Sequence, residues 1–156
     1  PKLLVNGTND PYWVVDAMSK YWGDLKGDKY TIQLPNDGHS LKNGREKALR
    51  TVGAFARLNA AGQPLPKLDF RCEEAGDKYA LSVETDQKPV AAVFWQANSP
   101  DSDFRNDQWQ SQPMTESKDG GYHKVFATNQ HSAVFAELIF ETDGVPYSLC
   151  TLIYRR

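Results

Sequence analysis

Asp10 and His39 are the two residues of this 156-residue chain whose types and positions suit joint proton chemistry. Each follows a short run that reads as a strand. Lys2 to Asn6 (KLLVN) runs into the turn formers Gly7-Thr8-Asn9-Asp10-Pro11, and Tyr30 to Leu34 (YTIQL) alternates with period two before Pro35-Asn36-Asp37-Gly38 and then His39. Loops beyond the carboxyl ends of neighbouring parallel strands converge on one rim of a sheet, where sites form. An acid and then a histidine on two such loops can fix an imidazole tautomer and stabilise the imidazolium formed when a nucleophile loses its proton. Each residue also has an ordinary reading. Asp10 before Pro11 is a good turn or N-cap residue, and a histidine after Asn-Asp-Gly is often simply on the surface.

The elements that must position them follow from periodicity. Trp13, Val14, Val15, Ala17, Met18, Tyr21, Trp22 and Leu25 include several i, i+3, i+4 spacings, which predicts a helix ended by Gly23 and Gly27. A second helix is expected from about Lys42 to Ala61, with Ala48, Val52, Phe55 and Ala56 on one stripe and Gly62 and Pro64 as its stop. Strand, helix, strand, helix in that order predicts a piece of a parallel α/β sheet over residues 1–63. After the linker Gly62 to Pro66 no helical period remains. Alternating runs recur at Leu68 to Glu74, Tyr79 to Thr85, Val90 to Ala97, Gln108 to Met114, Tyr122 to Thr128, Ala133 to Glu141 and Tyr147 to Tyr154, separated by turn clusters. Strands that short and that many predict an antiparallel β-sandwich of immunoglobulin-like size over residues 67–156. The expected fold class is therefore α/β followed by all-β.

Composition narrows the functions. Eighteen basic against 20 acidic side chains leave a net charge of −2, which argues against a nucleic-acid or anionic-membrane surface. No apolar run approaches the ~20 residues of a membrane span. Residues Pro1 to Asp10 lack the pattern of a signal peptide, so a leader, if the protein is exported, is expected outside this chain. Cys72 and Cys150 are too far apart for a zinc motif, but they fall on the first and last predicted sandwich strands, where they could neighbour one another and pair. His123 and His131 flank a predicted hairpin without a third ligand, and no metal or cofactor is expected. Asp37 is expected to shape its turn, Asp16 to face out or cap, and Ser40 to cap the second helix. Asn6-Gly7-Thr8 is a glycosylation sequon, but at a buried strand end. Asp103-Phe104-Arg105 is expected to fix a loop by an ion pair and a buried ring, with Trp95 and Trp109 filling the sandwich or its contact.

The stretch from Val5 to Leu41, with Asp10, Tyr12-Trp13, Tyr21-Trp22, Leu25-Lys26-Gly27 and Pro35-Asn36-Asp37-Gly38-His39-Ser40-Leu41, resembles the acid and base segments of the PhoPQ-activated pathogenicity-related proteins. That family, an α/β-hydrolase group, includes the autocrine proliferation repressor proteins. The resemblance extends to Val93-Phe94-Trp95-Gln96-Ala97-Asn98-Ser99-Pro100 and Asp103-Phe104-Arg105. It implies that residues 1–63 are the C-terminal part of an α/β-hydrolase domain, that Asp10 and His39 are the acid and base of a serine-hydrolase triad, and that the β-rich part is an appendage. No G-x-S-x-G elbow is present, and Ser19, Ser40, Ser82, Ser99, Ser102, Ser111, Ser117, Ser132 and Ser148 all lack the strand-turn-helix context of a nucleophile. The resemblance thus implies an N-terminal hydrolase portion carrying the nucleophile, absent from these residues, on the same parent chain or as a separate piece after cleavage. This chain alone is then expected to be inactive. Peptides or esters are the implied substrates, and family tendency with the two cysteines points to a secreted or periplasmic protein. Two rivals stay open: a non-catalytic secreted binding or signalling protein on a hydrolase scaffold, and a β-sandwich that itself binds carbohydrate or a partner.

Overall fold

Alternation after Pro66 becomes strands in a computed structural model that describes residues 1–128 and 131–156. Strands β3 (Leu68–Ala75) and β4 (Lys78–Thr85) form a hairpin around Gly76, whose φ of 68° lies in the left-handed region that glycine adopts freely. With β8 (Tyr122–Phe126) and the short β7 (Thr115–Glu116) they make an antiparallel sheet in the order β3-β4-β8-β7. A second antiparallel sheet has the order β10-β9-β5-β6. It is built from β10 (Val145–Cys150), β9 (His131–Thr142), β5 (Ala91–Ser99) and β6 (Gln110–Pro113), with β11 (Tyr154–Arg155) also paired to β9.

The two sheets face each other as a sandwich. Leu81 and Val83 of β4 and Tyr122 and Phe126 of β8 share a core with Phe94 of β5 and with Val134, Ala136, Leu138 and Phe140 of β9. Phe94 and Phe126 bring their ring centres within 5.1 Å across the interface. Residues of opposite parity on β9, Ala133 and Phe135, face the other way, into a second core with Ile32, Leu34, Ala48, Phe104 and Trp109. β9 is therefore covered on both faces, which is why Ser132 through Leu138 are all buried instead of alternating with exposed residues.

The covering layer is the N-terminal part. Strands β1 (Lys2–Gly7) and β2 (Lys29–Leu34) pair in parallel, from Lys2 opposite Lys29 to Gly7 opposite Leu34. Helix α1 (Ala17–Tyr21) is a single turn and a half, and α2 (Arg45–Ala60) is the long one. Helix α2 lies against β10, where Thr51 Oγ1 accepts the Ser148 N–H at 3.2 Å. The Cys150 thiol of β10 points at the Gln33 carbonyl of β2, 3.9 Å away.

These contacts overturn the fold class expected from the sequence, an α/β-hydrolase sheet followed by an immunoglobulin-like sandwich. The chain is mostly β, 44% strand against 18% helix, with a sandwich-like arrangement, and parallel pairing among the described residues is confined to β1 and β2. The error starts in the aromatic run after Pro11. Its spacing suggested a helix buried along one stripe, but Tyr12, Trp13 and Val14 are exposed and only Val15 and Met18 are buried. Asp10 takes the N–H groups of Tyr12 and Trp13 at 2.8 and 3.1 Å, which holds that segment in turns until Ala17.

Smaller expectations are corrected too. Helix α2 starts at Arg45 with Gly44 at its N-cap, so Ser40 does not cap it. Cys72 on β3 and Cys150 on β10 belong to different sheets and are both free thiols. His123 pairs with Ser82 and Thr115 in one sheet and His131 with Ser99 in the other, so the two do not meet across a hairpin. The seven runs read after Pro66 all contain strands, the last interrupted at residues 151–153. Among the described residues, no helix is long and apolar enough to cross a membrane.

Candidate functional site: an Asp–His pair at the strand ends

Because β1 and β2 are parallel and in register, the loops after Gly7 and Leu34 leave the same rim side by side. They are zipped together by backbone: Thr8 N–H donates to the Leu34 carbonyl at 3.0 Å and Asn9 N–H to the Asp37 carbonyl at 2.9 Å. Gly7 is required by this approach. A Cβ there would lie 2.3 Å from the Asp37 carbonyl oxygen, inside any tolerable contact. Asp37 is itself buried and its carboxylate accepts the Gly44 N–H at 2.5 Å, so it shapes the turn before α2 and does not serve the imidazole.

The imidazole partner is Asp10, whose Oδ2 lies 2.8 Å from His39 Nδ1. The carboxylate is buried, its side chain 3% exposed, whereas the His39 side chain is 57% exposed. Burial alone would push the Asp10 carboxyl up. The Tyr12 N–H, the His39 ring and the Trp13 N–H outweigh it and hold the carboxyl below the ordinary carboxylate value. An ionised, doubly capped carboxylate on Nδ1 is an acceptor, so it selects the tautomer with the proton on Nδ1 and leaves Nε2 as the basic nitrogen. The Tyr12 ring stands edge-on to the imidazole, 5.0 Å between centres at 82°. Among the described residues, Asp10 and Tyr12 are the side chains found against the ring.

The other sequence candidates lie elsewhere. Asp16 accepts a hydrogen bond from Arg155 Nη1 at 3.2 Å and provides no helix cap. His123 Nδ1 sits 2.8 Å from the Ser117 hydroxyl in the far sheet. Asn6 of the sequon is partly buried and donates to the Trp13 carbonyl at 3.3 Å. Asp103 and Arg105 form the expected local pair, Nε to Oδ1 at 2.8 Å, which holds the Asp103 carboxyl down at about 2. No group of three metal-ligating side chains occurs among the described residues.

Two features escaped the sequence reading. Asn9 and Asn36 looked like turn formers, yet Asn9 Nδ2 donates to the carbonyls of Phe104, Arg105 and Asp107 at 3.1, 3.1 and 2.9 Å. Asn36 donates to the Trp109 carbonyl at 3.0 Å and accepts the Trp109 N–H at 2.7 Å. Nothing in residue type separates such an amide from any other turn asparagine. Glu137 did leave a signal, a lone acid inside the apolar run Ala133 to Phe140. It is buried and accepts from the Trp95 indole at 2.9 Å and the Ser148 hydroxyl at 2.6 Å, with Lys47 of α2 against the same carboxylate.

Comparison with known proteins adds three findings. No curated protein matches the chain. Among solved structures, the "Crystal structure of carbohydrate-binding module family 56 beta-1,3-glucan binding domain" is similar over 58% of this chain and 98% of its own, at 13% identity and a TM-score of 0.40, too distant to carry a functional argument. The profile described as PhoPQ-activated pathogenicity-related protein matches residues 1–105, a span that includes both loops of the Asp10–His39 pair, and this chain belongs to that family.

Proposed function

We propose that Asp10 and His39 are the orienting acid and the base of a serine-type acyl-transfer centre acting on peptide or ester substrates, with the attacking hydroxyl supplied from outside these residues. The observation that carries this reading is the 2.8 Å contact between a buried, ionised carboxylate and Nδ1 of an imidazole whose side chain is still 57% exposed. In this chemistry His39 Nε2 takes the hydroxyl proton as the serine oxygen bonds to the acyl carbon, and the imidazolium is steadied by Asp10. His39 then gives that proton to the leaving amine or alcohol as the carbon–heteroatom bond breaks; water repeats the cycle to free the acid. The serines of this chain lack the elbow context, which is why the nucleophile is placed elsewhere.

A second reading has one observation in its favour. Tyr12, 74% exposed, stands against the imidazole, and with the neighbouring Trp13, 57% exposed, it would suit a surface that binds without turnover. A fluorophosphonate probe separates the two. Labelling of the full-length protein, with the portion that carries the nucleophile, that falls by about 10²–10⁴-fold in His39→Ala, the range for losing a general base, supports the hydrolase. No labelling of the folded full-length protein favours the binder.

A further inference from the structure

The two loops that carry the Asp–His pair hold each other, and they are also held from 70 or more residues away. Thr8 Oγ1 accepts the Asn36 N–H at 3.0 Å and donates to Asn9 Oδ1 at 2.8 Å, so the loops are cross-tied side chain to backbone. The outer half of the circuit is the segment between β5 and β6. Asn9 reaches three of its carbonyls, and Asn36 pairs with Trp109 in both directions. That segment is itself anchored. The Phe104 and Trp109 side chains are 3% and 1% exposed, and Trp109 packs against Phe135 with ring centres 5.3 Å apart.

We infer that Asn9 and Asn36 are positioning residues for the Asp10–His39 pair, making its geometry depend on the 104–109 segment of the sandwich; the functional weight of this rests on the role proposed for that pair. Asn9 precedes Asp10 directly, so three carbonyl acceptors fix the backbone from which the carboxylate projects. Asn36 lies three residues before His39 and holds a φ of 59°, and its amide pairs with one peptide group as both donor and acceptor. Both amides are satisfied only while the segment is docked, and a shift of about 1 Å at a reacting group is enough to lower a rate by roughly 10²-fold.

The test reads the pair and not turnover. In protein labelled with ¹⁵N-histidine, the His39 Nδ1 proton bonded to Asp10 is followed by NMR, with the Trp95 indole proton bonded to Glu137 as an internal reference for the sandwich. Asn36→Gly keeps the left-handed backbone and removes the amide, and Asn9→Asp turns an isosteric acceptor against three carbonyls. Both are expected to lose the His39 signal while the Trp95 signal is unchanged. Asn36→Asp, which still accepts the Trp109 N–H, should retain part of it. Asn6→Ala, which removes only the bond to Trp13, should retain all of it. If either test variant loses the Trp95 signal as well, the milder Asn9→Ala decides by the same criterion. A His39 signal unchanged in Asn36→Gly and Asn9→Asp overturns the inference, as does its loss in Asn6→Ala. Failure of the probe experiment would remove the hydrolase reading and leave this NMR result standing.

Discussion

Asp10 differs from an ordinary turn aspartate because both its oxygens are used: Oδ1 by the Tyr12 and Trp13 N–H groups, Oδ2 by His39. In Asp10→Asn the amide oxygen can still take the two backbone donors, so the turn should survive. The amide nitrogen then faces Nδ1 and, being a donor, forces the ring proton onto Nε2. We expect probe labelling to collapse while the thermal midpoint moves little, and ¹⁵N shifts of His39 to report the exchanged tautomer. The same carboxylate sets an acid limit on stability. Its folded pKa is depressed, so it binds fewer protons folded than unfolded near the ordinary value of about 3.9. Its contribution is full above that value and is lost as pH falls through the lower folded one. Urea unfolding between pH 5 and 2 should show a steeper acid decline in the wild type than in Asp10→Asn. Asp103, held at about 2 by its hydrogen bonds from Arg105, loses its contribution over the same window, but it does so alike in the wild type and in Asp10→Asn, so the difference between the two curves belongs to Asp10. Gly7→Ala should destabilise by about 1–3 kcal/mol, the range for overpacking, because the atom its Cβ meets is the Asp37 backbone carbonyl, which has no rotamer to escape into. Equilibrium unfolding of the single variant checks it.

At the level of elements, the strands after Pro66 were legible because alternation and turn chemistry agree there, as in the β3–β4 hairpin closed at Gly76. The two strands carrying the pair were legible for the same reason. Their parallel pairing was read from the order of the elements and not from any local signal, and the helix read between them is shortened to Ala17–Tyr21 because Asp10 captures the first amides and the apolar side chains of Tyr12 to Val14 turn outward. Asp10 and His39 themselves were legible because acid and base need distinctive side chains, whereas Asn9 and Asn36 act through contacts 73–98 residues away that residue type does not announce. Glu137 shows how an element can be fixed by one misplaced-looking residue. It ties β5 through Trp95, β10 through Ser148 and α2 through Lys47 to the centre of β9. Lys47→Met leaves that carboxylate buried without its cation and should cost about 3–5 kcal/mol, the penalty for breaking a buried pair. Adding Glu137→Gln should restore part of the loss, because the uncompensated charge disappears while an acceptor remains for Trp95 or Ser148. Urea midpoints of the single and double variants decide it; a double variant no more stable than Lys47→Met would mean that the lysine contributes packing and not charge.

Across the whole molecule, the second core joins what the sequence divides at Gly62 to Pro66. Ile32, Leu34 and Ala48 from one side meet Ala97, Trp109, Phe135 and Cys150 from the other. Phe135 is the centre of that contact, fully buried, with the Trp95 ring stacked at 6.3 Å and the Trp109 ring tilted at 5.3 Å. Trp109 in turn carries the backbone that Asn36 grips, so one apolar side chain on β9 supports the strand ends where Asp10 and His39 meet. Phe135→Ala removes a ring from a site walled by rigid strands, and a cavity there should lower stability by about 3–5 kcal/mol. If the N-terminal layer and the sandwich unfold as one cooperative unit, the His39 Nδ1 signal and the Trp95 indole signal must vanish at a single urea midpoint, in the wild type and at a lower one in Phe135→Ala. Two separate midpoints, with the His39 signal lost first and only that transition moved by the substitution, would show instead that the layer bearing the pair folds on the sandwich as a distinct, weaker unit. The shared core argues for the first outcome, because Ile32 and Leu34 of β2 and Ala48 of α2 are buried in one cluster with Ala97 of β5, Ala133 and Phe135 of β9 and Cys150 of β10.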